Sequence, residues 1–293
     1  MAPKIEGAGA IRTAPPPAAA IPDHAIDASK IDVTSADFKA LPASYQKAVK
    51  EAKAFAEKNF GGMAPAPKVL VTPSASNGNA PVTVIVPAGA KAPLSVDTHY
   101  HGDRASAVAG ENAAADEIGK RVKAGDTTVF VLPEAKSTSG RTNWDNVGDI
   151  NKTTSEALKS AGLGDQKVGH TTISAHSAGG RALANGVKDG KKLQADELVL
   201  QDALFEGNNG PGAYSALRKT LPNATAGVKT ITIVPSKETT TSGERSATLA
   251  EDLKAKGRSV TIAPATKTHA AAAAVLDTSG PVPANLHTDH FER

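Results

Sequence analysis

Short runs rich in Val, Ile, Leu and Thr recur along this chain, spaced by stretches of helical periodicity, and that alternation limits what it can fold into. The runs stand at KVLVT (68–72), VTVIV (82–86), LSVDTHY (94–100), TTVFVL (127–132), HTTISA (170–175), ELVLQ (197–201), KTITIV (229–234) and SVTIAP (259–264). Runs this short, closed by turn residues, read as strands. Helical stretches read at 105–123, 151–161, 177–187, 214–221, 243–257 and 269–276. A strand followed by a helix returns in parallel to the next strand, so the pattern predicts a mostly parallel α/β sheet with helices on both faces. No long helix separates the first three strands, which predicts a mixed edge there.

Ahead of the strands, SYQKAVKEAKAFAEKNFGG (44–62) carries Tyr45, Val49, Ala52, Phe55, Ala56 and Phe60 near helical spacing, with a glycine pair as its stop. Residues 1–42 are Ala/Pro-rich, with APPPAAAIP at 14–22. Proline lacks an N–H and fixes φ, so this stretch reads as an extended or disordered arm, leaving 43–293 as the folded domain. With 6 Phe, 3 Tyr and 1 Trp in 293 residues, the core must be built from Val, Ile, Leu and Ala. At this length it is still a substantial core.

Composition also excludes functions. A net charge of +3 from 33 basic and 30 acidic residues, with no basic cluster beyond the turn-like KDGKK (188–192), argues against nucleic acid. The absence of cysteine removes disulfides, thiol nucleophiles and thiolate metal sites. No apolar run approaches the ~20 residues that span a bilayer. The N-terminal stretch lacks a secretory apolar core, so the reading is a soluble, cytoplasmic chain by default, with export by another route left open.

The stretch most informative about chemistry is Ala175-His176-Ser177-Ala178-Gly179. It follows a β-rich run and opens a helical one, the context of a G-x-S-x-G turn that exposes a strained serine. Ala175 replaces the first glycine. The first N–H groups of the following helix, Ala178 foremost, can donate to an oxyanion. The alternative is that these small residues only let the helix pack closely on the sheet. A serine nucleophile needs an acid and then a histidine downstream. Asp202 directly follows the next strand and is preferred as the acid, with Glu238 in competition. For the base, His287 in the C-terminal NLHTDHFER is favoured, with His290 close behind and His269 as a helix-start residue. The stretch VDTHYHGDRAS (96–106) ends a strand in His-Gly, and Gly102 or Asp103 supplies the second oxyanion N–H.

The order HYHGD, AHSAGG, LVLQDALF and a late histidine resembles the α/β-hydrolase superfamily, and within it a group of bacterial α/β-hydrolase-like proteins. The resemblance spans about residues 66–293. It implies a three-layer α/β-hydrolase-like sandwich and a serine esterase with Ser177 as nucleophile, Asp202 as acid and a late histidine as base. The substrate would be a small acyl compound, and no cofactor is required. His101, His176 and Trp144, the last in the polar loop 133–149, are expected to line the pocket; the alternative for Trp144 is that it anchors its loop to the core.

Two other readings compete. DTHYHGDR also looks like the H-x-H-x-D signature of the metallo-β-lactamase fold, with His99, His101 and Asp103 as zinc ligands and His170 as a third imidazole. On the hydrolase reading, one of His99 and His101 is a packed strand residue and the other shapes the oxyanion loop. The third reading is a hydrolase fold that has lost its chemistry and binds only.

Overall fold

The computed structural model describes residues 20–103, 106–109, 112–138, 141–145, 147–206, 213–238 and 241–276. In chain order the elements are β1 (Ile26–Asp27), α1 (Ala36–Ala40), α2 (Ala43–Phe60), β2 (Lys68–Thr72), β3 (Val82–Val86), β4 (Leu94–Tyr100), α3 (Ala113–Lys123) and β5 (Val129–Pro133). They continue with β6 (Lys136–Thr138), β7 (Arg141–Asn143), α4 (Ile150–Ser160), β8 (Val168–His176), α5 (Gly179–Gly186), β9 (Glu197–Gln201) and α6 (Ala213–Ala224). The last are β10 (Thr230–Val234), α7 (Ser242–Lys254), β11 (Val260–Ile262) and α8 (His269–Ala272).

Nine strands form one sheet in the order β1-β2-β3-β5-β4-β8-β9-β10-β11. From β5 to β11 every neighbour is parallel, whereas β3 runs antiparallel to both β5 and β2, and β1 antiparallel to β2. This is the mixed edge expected where no crossover helix intervenes. Alternation along a strand sends successive side chains to opposite layers. In β5, Phe130 and Leu132 join the core under α2 and α3, while Val129 and Val131 face the α4 side. Helices α5, α6 and α7 close the rest of that second face over Ile173, Leu198, Leu200, Ile231 and Ile233. The result is a three-layer α/β sandwich, with a core of aliphatic residues.

Two segments differ from expectation. Residues 26–40 are not an extended arm: β1 adds to the sheet edge, and α1, capped by the Ser35 side chain, buries Phe38 to 2% exposure. Proline-rich composition upstream masked the short Ser-x-x capping signal here. The polar stretch 133–149 is not a plain loop either, since β6 and β7 pair in an antiparallel hairpin.

Candidate active site

The C-terminal ends of the parallel strands converge on one rim, where open α/β sheets present their ligand crevices. At the end of β8 the chain turns abruptly. Ser177 takes φ of 51°, and its N–H still continues the sheet by donating to Gln201 O at 3.1 Å. A left-handed serine is uncommon, because its side chain crowds the backbone there. Ala178 is then the N-cap of α5, so its N–H is one that no intrahelical carbonyl reaches. The turn is tight on its far side as well. A Cβ on Gly179 would come 2.1 Å from the Tyr100 carbonyl oxygen, and one on Gly180 would come 2.3 Å from that of Ala203. Close helix packing and a strained serine are therefore two aspects of one turn. Ala175 is fully buried, and its methyl fits where the motif has glycine.

One strand over, β9 ends in the same manner. Asp202 takes φ of 47° and donates its N–H to Val234 O at 2.7 Å. Its carboxylate is 5% exposed as a residue and accepts three short bonds: Ser236 Oγ and His269 Nδ1 on Oδ2 at 2.5 and 2.6 Å, and Ser242 Oγ on Oδ1 at 2.5 Å. Such charge-assisted bonds favour the ionised carboxylate. His269 opens α8, and its own N–H donates to Glu238 Oε2 at 2.7 Å. Glu238 thus bonds the main chain at His269, whereas Asp202 bonds its ring. The His269 ring lies 4.5 Å from that of His176, the residue before Ser177. His287 and His290 lie outside the described residues. Ser236 and Ser242 carried no sequence signal; the first becomes visible only once Val234 is seen opposite Gln201 in the β9–β10 register.

The β4 end supplies the opposite wall. A Cβ on Gly102 would lie 3.1 Å from Ser177 Cβ and 2.9 Å from His176 Nδ1, so glycine is required for this approach. His101, 2% exposed, donates from Nδ1 to the Gly102 carbonyl at 2.8 Å and accepts on Nε2 from the Ala135 N–H at 3.3 Å. It is a brace of this loop. Asp103 accepts the Thr142 N–H from β7 at 2.9 Å, tying the hairpin to the same loop. Further along, Glu134 accepts from the Ala107 N–H at 2.8 Å, and its carboxyl and that of Glu51 both reach the Ser106 hydroxyl, at 3.0 and 2.8 Å. Burial pushes both carboxyls up. One hydroxyl carries one proton, so both contacts are hydrogen bonds only when one of the two acids keeps its own.

Trp144 does not line an open pocket. It is 1% exposed, edge-on to Tyr100 at 5.4 Å and beside His101 at 4.9 Å, so its role is to anchor the polar loop in the core. The expected zinc ligands do not converge. His99 Nδ1 bonds Ser174 Oγ at 3.0 Å, His101 is turned to its own loop, and His170 faces Asp196 at 3.7 Å. Among the described residues no three such side chains form a group able to hold a metal ion. A serine, a histidine and an aspartate do meet here: Ser174, bonded to His99, also reaches Asp97 Oδ1 at 3.2 Å. All three members are at most 1% exposed, within paired strands, where no substrate can arrive. Burial, with the rings of His176 and His101 nearby, holds His99 neutral.

No protein-family model and no curated protein matches the chain. Among solved structures it is similar to an S-formylglutathione hydrolase from Agrobacterium tumefaciens, with 12% identity, coverage of 72% of this chain and 91% of the other, and a TM-score of 0.49. It is also similar to a thermostable esterase from Pseudomonas putida, with 15% identity, 78% and 84% coverage, and a TM-score of 0.44. A third is carboxyl esterase 2 from the mycorrhizal fungus Tuber melanosporum, with 15% identity, 72% and 80% coverage, and a TM-score of 0.45. Among the described residues no helix is long and apolar enough to cross a membrane.

Proposed function

We propose that this chain is a serine hydrolase of the α/β-hydrolase type acting on an ester or related acyl bond of a small molecule, with Ser177 as nucleophile, His269 as base and Asp202 as acid. The observation that carries the reading is the pair of left-handed residues ending adjacent strands. One is a serine on a strand-to-helix turn; the other is an aspartate bonded at 2.6 Å to an imidazole that stacks beside the serine's neighbour. Asp202 fixes the Nδ1–H tautomer of His269, which leaves Nε2 to take the Ser177 proton. Ser177 Oγ then attacks the acyl carbon, and the N–H of Ala178 with that of Gly102 or Asp103 receives the oxyanion. His269 returns its proton to the leaving group, and a water repeats the sequence to release the acid. The contact with Asp202 is the reason to propose His269 as the base in place of His287 or His290, which lie outside the described residues.

Fluorophosphonate labelling followed by mass spectrometry tests this. Wild type is expected to be labelled on Ser177, and S177A to remain unlabelled. H269A is expected to lose p-nitrophenyl acetate turnover by at least about 10³-fold. Loss in H287A with H269A intact would return the base to the C-terminal tail. An unlabelled wild type would leave a binding protein on a hydrolase fold.

A further inference from the structure

Resting on the assignment of His269 as base, we infer that His176 is the positioning residue of that base: its Nε2–H holds the main-chain carbonyl of His269 while its ring backs the His269 imidazole. The bond is 3.0 Å long and the rings stand 4.5 Å apart at 38°. A carbonyl only accepts, so Nε2 carries the proton and Nδ1 is the lone-pair nitrogen turned toward Gly102. The glycine at 102 leaves room for that nitrogen, since a methyl there would press on His176 Nδ1.

His269 needs such a holder. It begins a helix of four residues, beyond an edge strand of three. Asp202 fixes the ring through Nδ1 and Glu238 fixes the main-chain N–H. Neither contact sets the outgoing carbonyl or stops the ring from rotating about the Asp202 bond. His176 does both, from the residue that directly precedes the nucleophile. Nucleophile and base are therefore indexed to each other through one side chain at the last position of β8. Desolvation first, and the neighbouring His269 second, push the His176 imidazole down to about 4. It is neutral wherever the base works and puts no second positive charge beside the imidazolium formed during turnover.

The test separates this inference from the assignment beneath it. In the proton spectrum of the full chain, the Nδ1–H of His269 shared with Asp202 gives a protected low-field resonance, absent in H269A. In H176A it is expected to broaden into exchange with water. The ester kcat should fall about 10- to 100-fold with KM within twofold, as expected for a misplaced base. H176F keeps a ring behind His269 but loses the bond, and should fall between wild type and H176A on both readouts. H176F also carries the test if H176A fails to fold. A sharp low-field resonance and unchanged kcat in both variants would overturn the inference. If wild-type Ser177 proves unreactive, the enzyme reading fails by itself, and the resonance still decides whether His176 holds His269.

Discussion

Among single residues, the buried histidines make the firmest demand on solution behaviour. His101 is braced as a neutral ring inside the loop that faces Ser177, and burial pushes it down to about 4. The unfolded chain binds that proton near pH 6.5, while the folded chain refuses it until about 4. As the pH falls through this window the unfolded state gains a proton that the native state does not, so native stability is lost there and the loss levels off below it. The span corresponds to at most about 3 kcal/mol for His101, and His176 adds a loss of the same sign. Urea unfolding measured from pH 7 to pH 4 should show this decline, and H101Q should show a shallower one. An equal decline in H101Q would mean that His101 is not the neutral brace described. Glu51 and Glu134 are raised instead, so they oppose the trend in acid and reduce its size without reversing the comparison between the two proteins.

Among elements, the strand-turn-helix of β8 and α5 sets the tolerance of the site to change. A Cβ at 179 meets a main-chain oxygen of β4 at 2.1 Å, and β4 cannot yield without breaking its pairing with β8. G179A is therefore expected to cost at least about 2 kcal/mol in urea unfolding, whereas G243A, in helix α7 where an added Cβ meets nothing within 4 Å, is expected to leave stability unchanged or raise it by up to about 1 kcal/mol. Equal costs would deny that the turn is packed so tightly. Most strands were legible in the sequence, because short β-branched and aliphatic runs closed by turn residues mark them: β2, β3, β4 and β9 have the expected bounds to the residue. The tight turn after β8 was legible too, since small residues at 175, 178, 179 and 180 are what a crowded backbone permits. The hairpin of β6 and β7 was not, because three-residue strands of polar side chains carry no period. Nor could spacing select among three late histidines. His269 meets Asp202 through the crossover geometry of β10, α7 and β11, and no local pattern records that path.

At the scale of the whole molecule, residues 26–40 complete the fold. β1 covers part of the outer edge of β2, and α1 brings Phe38 into the core that α2 and α3 share. A chain beginning at residue 43 would bare that edge and leave a cavity at Phe38. It should unfold several degrees below the full chain and associate through the uncovered strand, as calorimetry and light scattering would report. Identical melting of the two chains would mean the segment is only an accessory. The larger division runs across the rim. Ser177 and Asp202 terminate neighbouring strands in the middle of a nine-stranded sheet, so the spacing between them is as rigid as the sheet. His269 comes from another quarter, on a brief segment beyond the last strand. If the proposed triad holds, two of its three parts are in effect masonry and the third is a latch: a modest displacement of one short peptide would silence the chemistry while the scaffold stood unaltered, and its return would restore it.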